Sequence, residues 1–125
     1  MNEQQKTDIL AKVTQASETW KNAFNQGNAE LCARQYTPGA VMRARPFGTF
    51  TGYEAIKAFW QDLIDKGFSD VNYIEPVYEV IDEQNVLLSS RWRMNNAGGV
   101  IHKELWQRQA DGEFKLAQDE FEVLE

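Results

Sequence analysis

Apolar residues recur at steps of three and four positions in two stretches of the chain, which is the spacing of one face of an α-helix. The first stretch predicts a helix from about Thr7 to Gln26, with an apolar face formed by Ile9, Val13, Ala16, Trp20 and Phe24. The second predicts a later helix that ends at Lys66-Gly67, with an apolar face formed by Ile56, Phe59, Trp60, Leu63 and Ile64. Both helices therefore have one side to bury against another layer.

Capping residues delimit these helices and predict a short one between them. Gly27 can end the first helix in a left-handed conformation, and Asn28 can cap the next helix. That helix is predicted to end near Tyr36, because Pro38-Gly39 breaks it. Thr51 and Glu54 have the spacing of a capping box, which predicts the start of the third helix.

The remaining segments read as strands. Ala40 to Arg45 predicts a short strand, and Pro46-Phe47-Gly48 turns the chain after it. Pro76 indicates an edge position or a bulge, and Asp111-Gly112 is a strong hairpin signal. Helices first and strands afterwards predict an α+β layout with helices on one face of a curved antiparallel sheet. Four later strands complete that sheet, over Phe68 to Ile81, Val86 to Met94, Val100 to Gln109 and Phe114 to Leu124.

Composition narrows the class of protein. The 125 residues fit a single domain over 1–125. A net charge of −6 without a Lys/Arg cluster argues against a nucleic-acid partner. The polar N-terminus lacks a signal-peptide pattern, and no apolar run is long enough for a membrane span. We therefore expect a cytoplasmic protein without a membrane partner. One His and one Cys provide no His/Cys ligand cluster, so we expect no metal site. We expect no other cofactor either.

The order of these elements resembles that of the nuclear transport factor 2-like superfamily, which includes SnoaL-like proteins and ketosteroid isomerases. The resemblance is carried by the segments W20-K-N-A-F-N-Q-G-N28, L31-C-A-R-Q-Y-T-P-G-A-V41, P46-F-G-T-F-T-G52 and Y53-E-A-I-K-A-F-W60. It implies a cone in which three N-terminal helices pack on a curved, mostly antiparallel sheet, also known as a cystatin-like fold. It also implies a small-molecule site between the helices and the concave face.

Alternation along the strands, phased by the resemblance, predicts the residues of that site. Val100, His102, Glu104 and Trp106 share one face of their strand. Glu104 lies eight residues before Gly112, where ketosteroid isomerases carry an inward-facing aspartic acid, so this face is expected to be the inner one. On the same alignment the other inward residues are Leu88, Ser90, Trp92, Asp119 and Phe121.

The resemblance also implies that ketosteroid isomerase activity is not carried over. Trp20 and Trp60 stand where the family has tyrosines, and Arg45 stands where it has the aspartate that precedes the proline. We predict instead a cluster of His102, Glu104, Asp119 and Arg45, in which the first three are acid/base candidates. Arg45 either holds Glu104 or Asp119 ionised or binds a carboxylate or enolate of the ligand. The predicted substrate-binding residues are Trp20, Arg45, Trp60, Leu88, Ser90, Trp92, Trp106 and Phe121.

Two functional hypotheses remain open at this point. The first is a cofactor-free isomerase, cyclase or hydro-lyase that acts on a small hydrophobic or partly polar molecule. The second is a non-catalytic ligand-binding or association module, because Glu104-Leu105-Trp106 before an Asp-Gly turn resembles the strand of kinase association domains. Family resemblance further implies a homodimer through the outer face of the sheet, where Leu105 is flanked by Lys103 and Gln107.

Overall fold

Three helices pack on one face of a curved six-stranded sheet in the computed structural model, which describes residues 1–125. The strand order is β2-β1-β6-β5-β4-β3. Only the β1–β6 pairing is parallel. The predicted α+β cone is therefore confirmed. In chain order the elements are α1 (Glu3–Asn25), α2 (Ala29–Arg34), β1 (Tyr36–Arg45), β2 (Gly48–Thr51), α3 (Tyr53–Asp65), β3 (Asn72–Val80), β4 (Asn85–Arg93), β5 (Gly98–Arg108) and β6 (Phe114–Val123).

The helix boundaries confirm one predicted cap and correct another. The side chain of Asn28 accepts a hydrogen bond from the backbone N–H of Leu31, as a cap should. Helix α1 begins earlier than predicted, because Asn2 and Gln5 form a reciprocal capping box. The capping box predicted at Thr51 is wrong, since Thr51 ends β2 and Gly52 caps α3 without a side-chain hydrogen bond. No helix has the length and apolar character needed to cross a membrane.

Strand β1 is longer than predicted, and β2 was not predicted as a strand. Tyr36, which the sequence placed at the end of α2, is the first residue of β1. Pro38 favours extended backbone in the residue before it, so the chain is already extended at Thr37. Strand β3 confirms the interpretation of Pro76. It lies at the edge of the sheet, and its pairing with β4 shifts register between Ile74 and Val77.

The core lies between the apolar faces of the helices and the inner face of the sheet. Its central part is aromatic. The ring centroids of Trp20 and Trp60 are 4.9 Å apart in an edge-on arrangement. Phe121 from β6 stacks on Trp60 at 5.6 Å. Such pairs stabilise a core beyond the area that they bury, and here they fix the walls of a cavity between helices and sheet.

Two irregularities in the sheet decide which side chains reach this cavity. The β5–β6 pairing shifts register between Ile101 and Lys103, and again between Leu105 and Trp106. An extra residue in one strand breaks the period-two alternation and turns the following side chains to the other face. Ile101 and Glu104, three positions apart, are therefore both buried.

Candidate functional site

Two acidic side chains lie side by side beneath the helices. Glu104 on β5 and Asp119 on β6 are directly opposite each other in the antiparallel register. Only 3% of Glu104 and 4% of Asp119 is exposed to solvent. No basic side chain forms an ion pair with either carboxyl. A buried acid outside an ion pair is rare in proteins, since desolvation disfavours its ionised form.

Hydrogen bonds from three aromatic side chains hold the two carboxyls in place. The Tyr73 hydroxyl donates to Oε2 of Glu104 over 2.8 Å, and the Trp106 indole N–H donates to Oε1 over 2.9 Å. The Tyr36 hydroxyl donates to Oδ2 of Asp119 over 2.6 Å. These donors come from strands β3, β5 and β1, so the orientation of the acids depends on most of the sheet.

Burial raises the pKa of both carboxyls towards neutral pH. Burial and, to a smaller extent, the neighbouring charge of Asp119 raise the pKa of Glu104 to about 8. The hydrogen bonds from Tyr73 and Trp106 lower this pKa in part. Burial also raises the pKa of Asp119 to about 7, against the bond from Tyr36, which lowers it. Two interacting acids titrate as a pair. With both pKa values raised towards neutral pH, one member of the pair can accept a proton while the other can donate one.

The carboxyl pair lines a small, mostly apolar cavity, called here the carboxyl cavity. Its free volume for the centre of a water-sized sphere is about 30 Å³, more than the ~10–15 Å³ that one water needs. The volume suffices for water or for a few ligand atoms, and a larger ligand requires side chains to move. The lining residues are Trp20, Trp60, Val71, Tyr73, Trp92, Met94, Ile101, Glu104, Asp119 and Phe121.

Three tryptophans of the cavity wall carry buried N–H groups without a hydrogen-bond partner. They are Trp20, Trp60 and Trp92. The indole of Trp60 lies near the Tyr36 hydroxyl and lowers its pKa, so Trp20 and Trp92 are the clearer cases. Buried polar hydrogens in folded proteins almost always find an acceptor. Trp20 and Trp92 both line the carboxyl cavity, and their indole nitrogens are unpaired within the chain.

The structure brings most of the predicted site residues together. Glu104, Asp119, Trp20, Trp60, Trp92 and Phe121 all line the carboxyl cavity. Trp106 is buried behind Glu104 and contacts it through its N–H. Leu88 is fully buried in the core and does not line the cavity. Ser90 also lies outside it, with its hydroxyl within 3.1 Å of the Ile74 carbonyl oxygen and 2.7 Å of that of Arg91.

The predicted four-residue cluster is wrong in two of its members. His102 faces outwards, because the register shift after Ile101 separates its phase from that of Glu104. Its side chain is 43% exposed, and its Nε2 lies 2.9 Å from Oε1 of Glu122. Arg45 is also outside, since Ala44 takes the inward position on β1. The Arg45 side chain is 61% exposed and is 3.7 Å from Glu120.

Sequence reasoning missed the two tyrosines that hold the carboxyls. Tyr36 had been placed on a helix, and Tyr73 lay in a strand whose phase was not determined. A signal was available, because two buried acids require donors and the inner face of β4, β5 and β6 offered few. Tyrosines on the flanking strands are the obvious source. Burial and the neighbouring carboxyls raise the pKa of both phenols well above the ordinary value, so they remain donors.

Solved structures share this fold at low sequence identity. A protein described as a scytalone dehydratase from Novosphingobium aromaticivorans is 12% identical, with a TM-score of 0.83 over 99% of this chain and 89% of its own. A ketosteroid isomerase-like protein from Erwinia carotovora atroseptica is 15% identical, with a TM-score of 0.81 over 100% and 99%. A domain from Xanthomonas campestris, described as a calcium/calmodulin-dependent protein kinase II association domain, is 13% identical, with a TM-score of 0.78 over 90% and 85%.

Sequence comparison identifies the family more narrowly. No curated protein sequence matches the chain. Residues 17–114 match the SnoaL-like domain family. This match covers most of the chain and includes α1 from Ser17 onwards, both other helices, and the sheet as far as the first residue of β6. The resemblance inferred from the order of elements is confirmed, and the chain belongs to the SnoaL-like domain family.

Proposed function

We propose that this protein binds a small, mainly apolar molecule in the carboxyl cavity and transfers a proton within it, as an isomerase, cyclase or hydro-lyase without a cofactor. The observation that carries the proposal is the buried Glu104–Asp119 pair, which lines an apolar cavity and whose pKa values are raised towards neutral pH by burial. General acid–base catalysis works best when the pKa of the catalytic group is close to the working pH.

The chemistry follows from the two protonation states of the pair. The ionised carboxylate removes a proton from a carbon next to the carbonyl group of the substrate, and the C–H electron pair moves to form an enolate. The protonated carboxyl or an indole N–H donates a hydrogen bond to the developing oxyanion. The first carboxyl then returns the proton to a different carbon, or a β-hydroxyl leaves as water with the proton of the second. No oxidant or reductant is needed in either case.

The structural neighbours support this class of reaction by analogy only. Two of them are described as a scytalone dehydratase and a ketosteroid isomerase-like protein. Loss of water and movement of a double bond both begin or end with proton transfer beside a carbonyl or hydroxyl group. Because folds host many functions, the carboxyl pair of this chain is the stronger argument.

Proton exchange provides a direct test. The protein is incubated in D₂O with a panel of small enolisable ketones and enones, and NMR follows the loss of the α-proton signals. We expect exchange above buffer in the wild type and a loss of at least ~10²-fold in Glu104→Gln and in Asp119→Asn. Glu79→Gln, an exposed acid on β3, is the matched control. Exchange that persists in both cavity variants would refute the assignment of the pair.

A second candidate function is ligand binding without turnover. The observation that favours it is the small free volume, about 30 Å³, within a closely packed aromatic wall. Three of the four tryptophans line this cavity, so ligands can be screened by quenching of tryptophan fluorescence. Binding that requires Trp20 or Trp92, without α-proton exchange for any bound ligand, would favour the second function over the first.

We also propose that the chain forms a homodimer through the outer face of the sheet. This face carries Lys103, Leu105 and Gln107 on β5. Arg91 and Arg93 on β4 lie further along the sheet, opposite Val100 and Gly98. The two arginines already form exposed ion pairs with Glu75 and Glu125, at 3.1 and 2.7 Å. A stable dimer buries ~1,200–2,000 Å² in total. Sedimentation at micromolar concentration tests the proposal, and Leu105→Glu is expected to shift a dimer towards the monomer.

A further inference from the structure

Lys21 on α1 is a largely buried cation beside Tyr73, which lines the carboxyl cavity. Its side chain is 16% exposed, against 58–63% for the lysine and arginine side chains of the other ion pairs. Its Nζ lies 2.7 Å from Oε1 of Glu18 and 5.1 Å from the centroid of the Tyr73 ring. A cation within about 6 Å of a ring centroid is attracted to the ring, and more strongly when it is desolvated. The charge of Lys21 is therefore held at the protein interior and not in the solvent.

A second contact fixes α1 against the same part of the chain. Asn25, one helical turn after Lys21, accepts a hydrogen bond from the Val71 N–H over 2.7 Å and donates one to the Val71 carbonyl oxygen over 3.2 Å. Val71 and Tyr73 both line the carboxyl cavity. Tyr73 belongs to the edge strand β3, which has a strand neighbour on one side only. The contacts from α1 therefore supply much of what holds Tyr73 in place.

Tyr73 connects Lys21 to the carboxyl pair. Its ring lies under the ammonium group of Lys21, and its hydroxyl donates to Oε2 of Glu104 over 2.8 Å. The titratable groups that act on Glu104 or are acted on by it come from four elements, with Asp119 on β6, Tyr36 on β1, Tyr73 on β3 and Lys21 on α1. The basic member of this set is Lys21.

The charge of Lys21 opposes the effect of burial on Glu104. Burial and the charge of Asp119 raise the pKa of Glu104, while the bonds from Tyr73 and Trp106 and the charge of Lys21 lower it. A positive charge has this effect because it stabilises the ionised carboxylate. Removal of that charge alone should therefore make Glu104 a weaker acid.

We infer that Lys21 is a positioning residue for the carboxyl pair, seated over the Tyr73 ring so that it keeps the Tyr73 hydroxyl on Glu104 and favours the ionised form of that carboxyl. Lys21 forms no ion pair with either acid and does not line the cavity. It acts through Tyr73 and through its charge. This inference rests on the proposed function and adds to it a residue outside the cavity that sets the pH range of proton transfer.

A direct titration of Glu104 tests the inference without an activity assay. The protein is labelled with ¹³C, and NMR follows the Glu104 side-chain carboxyl from pH 5 to 10, with Glu104→Gln to assign the signal. Lys21→Met removes the charge and keeps an unbranched side chain. We expect its midpoint to lie about 0.5–1 higher in pH than that of the wild type, as for a nearby charge that Glu18 partly compensates. Lys21→Arg retains the charge and can also stack on the ring, so it should keep the wild-type midpoint.

Two further variants separate the charge of Lys21 from a general effect on packing. Lys57→Met is the matched control, because the Nζ of Lys57 lies 5.9 Å from the centroid of the Tyr53 ring and neither residue lines the cavity. It should keep the wild-type midpoint. Glu18→Gln removes the negative partner of Lys21, so its midpoint should move to lower pH. Lys21→Gln serves if the methionine variant does not fold. An unchanged midpoint in a folded variant without the Lys21 charge would overturn the inference, as would an equal change in Lys57→Met.

A double-mutant cycle tests whether Lys21 acts through Tyr73. Tyr73→Phe keeps the ring and removes the hydroxyl that bonds to Glu104. If Lys21 keeps that hydroxyl in place, Lys21→Met should move the midpoint less in the Tyr73→Phe background than in the wild type, because coupled residues are not additive. The same change in both backgrounds would overturn the positioning role.

The pH profile of α-proton exchange links the inference to the proposed function. A pH profile reports the ionisation of the essential acid and base, so Lys21→Met should move the profile to higher pH as it moves the titration. A titration that moves without the profile would reject Lys21 as a positioning residue for the reaction. The proposed function fails on a different result, namely exchange that does not depend on Glu104 or Asp119.

Discussion

Replacing Glu104 with glutamine should change how the stability of the protein depends on pH. The amide has nearly the shape of the acid and can keep both of its contacts. Its oxygen can accept from Trp106, whose N–H can only donate, while its NH₂ group can donate to the hydroxyl oxygen of Tyr73, which can also accept. The variant therefore removes one ionisable group and leaves the packing nearly intact.

The magnitude follows from the raised pKa. Folding raises the pKa of Glu104 from 4.5 to about 8. Below the unfolded value the carboxyl is protonated in both states, so its contribution to stability is fully present. As the pH rises towards 8, the unfolded chain releases the proton and the folded chain retains it, so the free energy of unfolding falls. At about 1.4 kcal/mol per pKa unit, this loss is on the order of 3–4 kcal/mol between pH 5 and 8.

Urea denaturation at pH 5, 6, 7 and 8, followed by tryptophan fluorescence, measures this difference. We expect the wild type to lose stability across the range and Glu104→Gln to lose much less, so that the variant is the more stable protein at pH 8. Glu79→Gln, with its side chain exposed on β3, should follow the wild type. Parallel curves for the wild type and Glu104→Gln would show that the pKa of Glu104 is not raised, and the acid–base argument would fail with it.

Three other changes have expected outcomes. Gly99→Ala should lower the free energy of unfolding by about 3 kcal/mol or more and lower Tm with it, because the new Cβ would lie 1.9 Å from the Glu122 carbonyl oxygen. Gly39→Ala, with open space around it, is the control in the thermal-denaturation assay. Arg45→Ala and His102→Ala should each cost at most about 1 kcal/mol and leave α-proton exchange unchanged, since both lie outside the cavity. A 3-oxo-Δ5 steroid should not be isomerised above buffer in an absorbance assay, because four fused rings cannot enter a free volume of about 30 Å³.

The fold was predictable because local signals agree with one another. Helical periodicity located α1 and α3, the Pro/Gly pair ended α2 close to its observed limit, and Asp111-Gly112 marked the last hairpin. The beginning of β1 was not predictable in the same way. Its first residues pair with β6, about 80 positions later, at Tyr36 and Leu116. Long-range pairing overrides local propensity there, and a single sequence does not display it.

The site was predictable only as far as alternation holds. Glu104, Asp119, Trp92 and Phe121 were placed correctly on the inner face of the sheet, and Trp20 and Trp60 were placed correctly on the helices that cover it. His102 was placed with them because strict alternation keeps positions two apart on the same side. A single extra residue in β5 breaks that rule, and its position depends on how the two strands pair. The inward position predicted for Arg45 was wrong for a different reason. It had been taken from an alignment and not from the alternation of the strand itself.

The two register shifts between β5 and β6, each caused by an extra residue or β-bulge, give a reason to regard the carboxyl pair as functional. On β5, Ile101 and Glu104 both point inwards, and on β6 the inward residues Leu116 and Asp119 are also three apart. Without an extra residue in each strand, alternation would turn the acids away from the apolar residues that precede them. Bulges are common beside active sites, where they redirect a side chain. Two irregular strands here bury two acids that weaken the folded state at neutral pH, although apolar side chains in those positions would stabilise it. Buried acids that lower the stability of the folded protein are expected at functional sites.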